Sequence, residues 1–274
     1  MKKLSIFLSL LLIFILAFTS CGTPAKNDET KGTETTKSEP SSTETVTENT
    51  EESKQEDKKE DEGPKNVMIF GDSYSTFEGY IPKTYKTWYK SAGRPETDVK
   101  QVSETWWYPL CNEMGYNLVM NDSYSGSTVG YTGYDGADTS QSTSFIHRLD
   151  TYKNQKFFEN NDIDIIFVFG GTNDSWCGAP LGEYKTENIT NSDLYNVLPA
   201  IVYFIGELKK AAPEAEIVFI INTELKTEIG ETVKKASEHF GTTYVELTRF
   251  QKKSSHPTVL GMASIKAQIR NALS

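Results

Sequence analysis

Asn66-Val67-Met68-Ile69-Phe70-Gly71-Asp72-Ser73 packs four large apolar residues in succession and ends on glycine, aspartate and serine. A run with no polar face suits a strand covered on both sides, as in a parallel sheet. Further runs rich in Val, Ile and Phe lie at 117–120, 163–169, 216–221 and 243–247. Helical patterns fall between and after them, at 103–114, 191–212, 227–240 and 258–273. Asn191-Ser192-Asp193 starts the longest of these and Ala211-Ala212-Pro213 stops it. Pro109 and Pro199 lie inside two of the spans, so those helices are kinked or start later. The alternation predicts an α/β fold, with a five-stranded parallel sheet covered by helices on both faces.

Outward from this core the chain changes character. Residues 23–64 are almost entirely Thr, Ser, Glu, Lys, Asp, Asn, Pro and Gly, with Ala25 and Val46 the only aliphatic side chains. Such a segment cannot bury a core, and as a flexible coil it reaches about 35 Å. Ahead of it stand Met1-Lys2-Lys3, an apolar stretch from Leu4 to Phe18, and Thr19-Ser20-Cys21-Gly22. The layout is that of a secretory signal, too short to span a membrane. Cys21 after small residues resembles a bacterial lipobox, which implies a lipidated Cys21 and a membrane anchor. Phe18 stands where that motif usually has an aliphatic residue, so cleavage with release is the alternative. The expected organisation is a signal peptide over 1–20, a disordered polar tether over 21–64 and one domain over 65–274, all extracytoplasmic.

The net charge is −10, and residues 65–274 carry 20 basic against 25 acidic side chains. No basic face for nucleic acid is expected. Cys111 and Cys177 are the two cysteines of the domain, enough for one disulfide but not for a framework.

In open α/β sheets, ligands bind beyond the carboxyl ends of the strands. The loops there read Gly71-Asp72-Ser73-Tyr74-Ser75, Asn121-Asp122-Ser123-Tyr124-Ser125-Gly126-Ser127 and Gly170-Gly171-Thr172-Asn173-Asp174, with Lys253-Ser254-Ser255-His256-Pro257 after the last strand. A serine paired with a distant histidine suggests nucleophilic acyl transfer. The chain contains no G-x-S-x-G elbow. Four such loops in this order resemble the blocks of the SGNH hydrolases, the GDSL esterase family, across essentially all of 65–274. The resemblance implies a flavodoxin-like sandwich, with Ser73 as nucleophile and first oxyanion amide, Gly126 as second amide, Asn173 as side-chain donor and His256 as base. No cofactor and no metal are expected.

The family usually places Asp three residues before the histidine, and Lys253 stands there. A carbonyl near Ser254 could orient the ring, a carboxylate such as Glu246 could substitute, or activity could be lost. The carbonyl is favoured, because the second ring NH needs only an acceptor. Asp72 is read as a turn acceptor and His147 and His239 as surface residues, with Asp174 and Arg148 open between substrate contact and ion pairing. The long connection from Tyr74 to Tyr108 carries Phe77, Tyr80, Tyr85, Trp88, Tyr89, Trp106 and Trp107, with Trp176 after the third block. Aromatic faces suit sugar rings, so Tyr74, Trp106, Trp107 and Trp176 are candidate substrate contacts. The expected substrate is an acetylated glycan; a lipid or small-ester esterase and an inactive glycan-binding lipoprotein are the alternatives.

Overall fold

The computed structural model describes residues 63–274; the expected signal peptide, Cys21 and nearly all of the tether lie outside them. Five strands, β1 Asn66–Gly71, β2 Asn117–Ser123, β3 Ile165–Phe169, β4 Glu216–Ile221 and β5 Thr243–Glu246, form one sheet in the order β2-β1-β3-β4-β5. All four pairings are parallel. The opening run explains the architecture. Met68 and Phe70 enter one core, and Val67 and Ile69 enter the other on the opposite face. Helices α2 Phe145–Asn154, α5 Val197–Ala211 and α6 Thr227–Phe240 close the first core, and α1 Trp107–Met114 and α7 Val259–Leu273 close the second. Short helices α3 Phe157–Asn160 and α4 Thr172–Trp176 complete the set, and Lys252–Lys253 (β6) pairs antiparallel with His256–Pro257 (β7).

The prolines delay the two helices rather than kinking them. Pro109 is the third residue of α1 and Pro199 the third of α5, first-turn positions where the missing N–H has no helical acceptor to lose. The residues expected to begin those helices form short 3-10 turns instead, at Val102–Glu104 and Asn191–Tyr195. Strand β2 runs on through Asn121, Asp122 and Ser123, which are buried but partnered. Cys111 and Cys177 are both free thiols.

Strand β1 pairs with β2 on one side and β3 on the other, so the chain changes direction across the sheet between β1 and β3. That change opens a crevice at their carboxyl ends. Ser73 follows β1 and Asn173 follows β3.

Candidate active site

Gly71 ends β1 where a Cβ would lie 2.3 Å from Ser123 Oγ and 2.6 Å from Ser75 Cβ, so only glycine lets the chain turn there. Asp72 Oδ1 accepts the Tyr74 N–H at 2.9 Å, and Ser73 opens a 3-10 turn over Ser73–Ser75. Trp106 Nε1 donates to Ser75 Oγ at 3.1 Å and Asn121 Nδ2 donates to the Ser75 carbonyl at 3.0 Å, fixing the turn from below. Burial pushes the Asp72 carboxyl up to about 7.

The base side is a hairpin with a two-residue turn, Ser254 and Ser255, both left-handed with φ 47° and 64°. Two positive φ values mark the turn type that matches strand twist, and non-glycine residues adopt it at a cost. Tyr74 donates its hydroxyl to the Ser255 carbonyl, and Tyr89 donates to the Pro257 carbonyl at 3.1 Å. The result places His256 Nε2 2.9 Å from Ser73 Oγ, with Nδ1 3.1 Å from the Ser254 carbonyl. A carbonyl only accepts, so Nδ1 carries the proton and Nε2 presents its lone pair to the serine hydroxyl.

Trp88 stacks on the imidazole with centroids 3.6 Å apart and planes at 6°, while Tyr74 and Trp176 close in at 5.3 Å and 5.8 Å. Burial lowers the His256 pKa to about 4; the Ser254 hydrogen bond pulls it upward, and Arg94 and Lys252 press it further down. The ring is therefore neutral at pH 7, with the Nε2 lone pair free to take a proton. Glu246 is exposed and pairs with Lys234 at 3.0 Å. The carbonyl expected to take the place of the acid is thus the group at Nδ1.

Across the crevice, the Ser73 and Gly126 amides donate to no acceptor among the described residues, and Gly126 sits at φ 90°. Asn173 Nδ2 donates one hydrogen to the Ser127 carbonyl at 2.9 Å, and its Oδ1 accepts from the Tyr134 hydroxyl at 2.9 Å. The amide plane is fixed and one Nδ2 hydrogen is left over, which together with the two free amides can receive an oxyanion. Beneath, Arg148 pairs with Asp122 and reaches the Gly71 carbonyl and Ser127 Oγ, each at 3.3 Å. Asp174 accepts the Val129 and Gly130 amides at 2.9 Å and 3.1 Å, and burial pushes its pKa up to about 6. Arg148 and Asp174 are therefore internal braces rather than substrate contacts. Asp72 is the expected turn acceptor. His147 is half-buried on α2 and His239 exposed on α6.

Three of the four candidate substrate aromatics are closed to substrate by burial. Tyr74, Trp106 and Trp107 are fully buried, because the connection after β1 folds its aromatics into the second core. Trp176 is exposed beside His256. Trp88, named only among the aromatics of the connection, and Tyr134, not named, both belong to the site. Stacking on a ring 168 positions away in sequence leaves no local signal for Trp88, and Tyr134 lies past the second block, outside any motif. Among the described residues no group of three His, Cys, Asp or Glu side chains stands close enough to hold a metal ion.

A serine hydroxyl on a neutral imidazole, with free donors across the crevice of a five-stranded parallel sheet, is the arrangement of a serine ester hydrolase. The chain belongs to the GDSL-like lipase/acylhydrolase family, whose model matches residues 65–273, and it is a carboxylic ester hydrolase. It is 42% identical to a protein of Bacteroides ovatus ATCC 8483 classed as a GDSL-like lipase, over 77% of this chain and 98% of that one, at a TM-score of 0.71. A similarly classed protein of Bacteroides uniformis ATCC 8492 is 43% identical over 77% and 96%, at 0.70. A family two carbohydrate esterase of Clostridium thermocellum shares the fold at 12% identity, over 76% of this chain and 63% of that one, with a TM-score of 0.52. No curated protein matches the chain.

Proposed function

We propose that this esterase is an extracytoplasmic, lipid-anchored enzyme that removes O-acetyl groups from a carbohydrate through a Ser73–His256 dyad. The observation that carries the reading is the 2.9 Å approach of His256 Nε2 to Ser73 Oγ, with the ring's other nitrogen on a backbone carbonyl. In the first half of the reaction, His256 takes the Ser73 proton as Oγ attacks the acetyl carbon. The oxyanion is received by the Ser73 and Gly126 amides and Asn173 Nδ2, donors each worth about 3 kcal/mol. Collapse expels the sugar oxygen, which takes the proton back from His256. Water, deprotonated by the same nitrogen, then attacks the acyl-serine, and His256 returns that proton to Ser73 Oγ as acetate leaves.

Trp176 stands exposed with its ring 5.8 Å from His256, an aromatic face open to a sugar ring, which supports a short acyl group on a sugar. The signal-like N-terminus, Cys21 and the polar segment after it support an anchored domain held off the membrane by about 35 Å. The test is acetate release from acetylated xylan, mannan and peptidoglycan. The parent is expected to release acetate, and Ser73→Ala to lose at least about a thousandfold in rate. Full activity in Ser73→Ala would overturn the site, and hydrolysis of nitrophenyl acetate without release from any glycan would overturn the substrate. Palmitate labelling lost in Cys21→Ala tests the anchor.

A further inference from the structure

Beyond Trp88 the wall of the site turns basic. Arg94 lies with its guanidinium carbon 4.2 Å over the Trp88 ring, on the face that His256 does not occupy. Arg94, Lys100 and Lys253 then line one open cavity together with Ala92, Thr97 and Asp98. The loop that builds it is ordered by two successive turns, Gly93 N–H to the Lys90 carbonyl at 2.8 Å and Thr97 N–H to the Arg94 carbonyl at 3.2 Å. Lys100 lays its aliphatic stem against Gly93, where an added Cβ would meet Lys100 Cε at 3.2 Å. Lys253 stands opposite His256 across the hairpin.

The charges here are unbalanced. Asp98 is the one acidic residue lining the cavity, and its Oδ1 already accepts the Val259 N–H at 3.0 Å. Arg94 touches Glu96 at 3.4 Å, but both groups are partly exposed. Lys100 and Lys253 form no ion pair among the described residues, although residues 65–274 hold 20 basic against 25 acidic side chains. A shallow surface with a net positive balance raises the local concentration of anionic ligands and speeds their capture. Arg94 spends Nη1 on the Trp88 carbonyl at 3.2 Å and turns Nε toward Glu96 at 3.4 Å, so its Nη2 edge and the two unpaired lysines are the charges left to receive a carboxylate.

We infer that this cavity receives a carboxylate carried by the substrate beside its acetylated sugar, so that the enzyme acts on acidic acetylated glycans. The inference rests on the deacetylase reading above and narrows its substrate class. The probes are a triacetylated methyl glucuronoside and the matching triacetylated methyl glucoside, which differ by one carboxylate. Each is assayed with the full chain, and each rate is divided by that on nitrophenyl acetate. At about 0.01 M salt, kcat/KM on the glucuronoside is expected to exceed that on the glucoside by about tenfold, and the excess to collapse near 1 M, where screening acts within about 3 Å. Lys100→Glu combined with Lys253→Glu is expected to bring the ratio to one or below. A parent ratio near one that neither salt nor the double variant moves would overturn the inference and leave deacetylation standing, since both sugars still lose acetate. Cleavage of nitrophenyl acetate with neither sugar deacetylated would overturn both.

Discussion

Where the loops after β2 and β3 meet, buried charge holds the backbone, whereas the hairpin that carries His256 is held by phenols, an indole and a carbonyl. Arg148 joins the ends of β1 and β2 to the Ser127 side chain, and Asp174 clamps the amides of Val129 and Gly130. On the other side, Tyr74 and Tyr89 donate to hairpin carbonyls and Trp88 covers the imidazole. The difference follows from what each side does. A donor array must keep its shape while charge develops in front of it, and buried ion pairs with complete hydrogen bonding give that rigidity. The base must stay neutral until it takes a proton. Burial holds the ring near 4, with Arg94 and Lys252 pressing it further down and no adjacent carboxylate to raise it.

The sharpest way to break the contrast is to remove the charge that holds the donor side. Arg148→Met is expected to cost about 3–5 kcal/mol of stability, because Asp122 remains buried without its cation. Urea midpoints measure this, and changing Asp122 to leucine in the same protein should recover much of the loss. A cost under about 1 kcal/mol would mean that packing, not charge, supports these loops. Next in size, Asn173→Ala should lower kcat by about 10²–10³-fold with little change in KM, since in the proposed mechanism its spare hydrogen meets the oxyanion only in the transition state. Steady-state kinetics on nitrophenyl acetate separate the two parameters.

The two sides also differ in how far the sequence discloses them. Strand β1 and the Ser73 turn are legible because burial on both faces forces consecutive apolar residues and the close approach to Ser123 forces Gly71. The four loops are legible as motifs, since each follows a strand of the sheet. Helix α2 is not among the helical patterns read at 103–114, 191–212, 227–240 and 258–273, although Ser144 caps the His147 amide ahead of Phe145, Ile146, Leu149 and Tyr152; Arg148 inside it, left open between substrate contact and ion pairing, turns inward. What is not legible is which aromatics of the connection after β1 turn inward. Trp88 and Trp106 look alike in sequence, and the difference between covering His256 and bracing Ser75 is decided by tertiary packing.

On the base side the expected effects are smaller. Trp88→Ala should lower kcat at pH 7 by about tenfold, because the ring loses the contact that fixes its plane and supports its cation. Loss of the indole also lets water reach the imidazole. Since burial is the main cause of the depressed pKa, the acidic limb of kcat/KM should rise from about 4 toward the ordinary 6.5. Trp88→Phe should recover most of both. An unmoved limb in the alanine variant would assign the depression to Arg94 and Lys252 instead.

Smallest of all should be the effect of Glu246→Gln. Glu246 was a candidate for the missing acid, but its carboxylate is exposed and committed to Lys234, and the acceptor at Nδ1 is the Ser254 carbonyl. An exposed ion pair of this kind is screened by solvent and contributes little to stability, and none of it reaches the ring. The variant should keep kcat/KM within about twofold of the parent, by the same measure that counts surface substitutions as nearly neutral, with its acidic limb still near 4. A hundredfold loss, accompanied by a lower limb, would mean that a carboxylate does reach Nδ1 during turnover and that the neutral hairpin is not sufficient to orient the base.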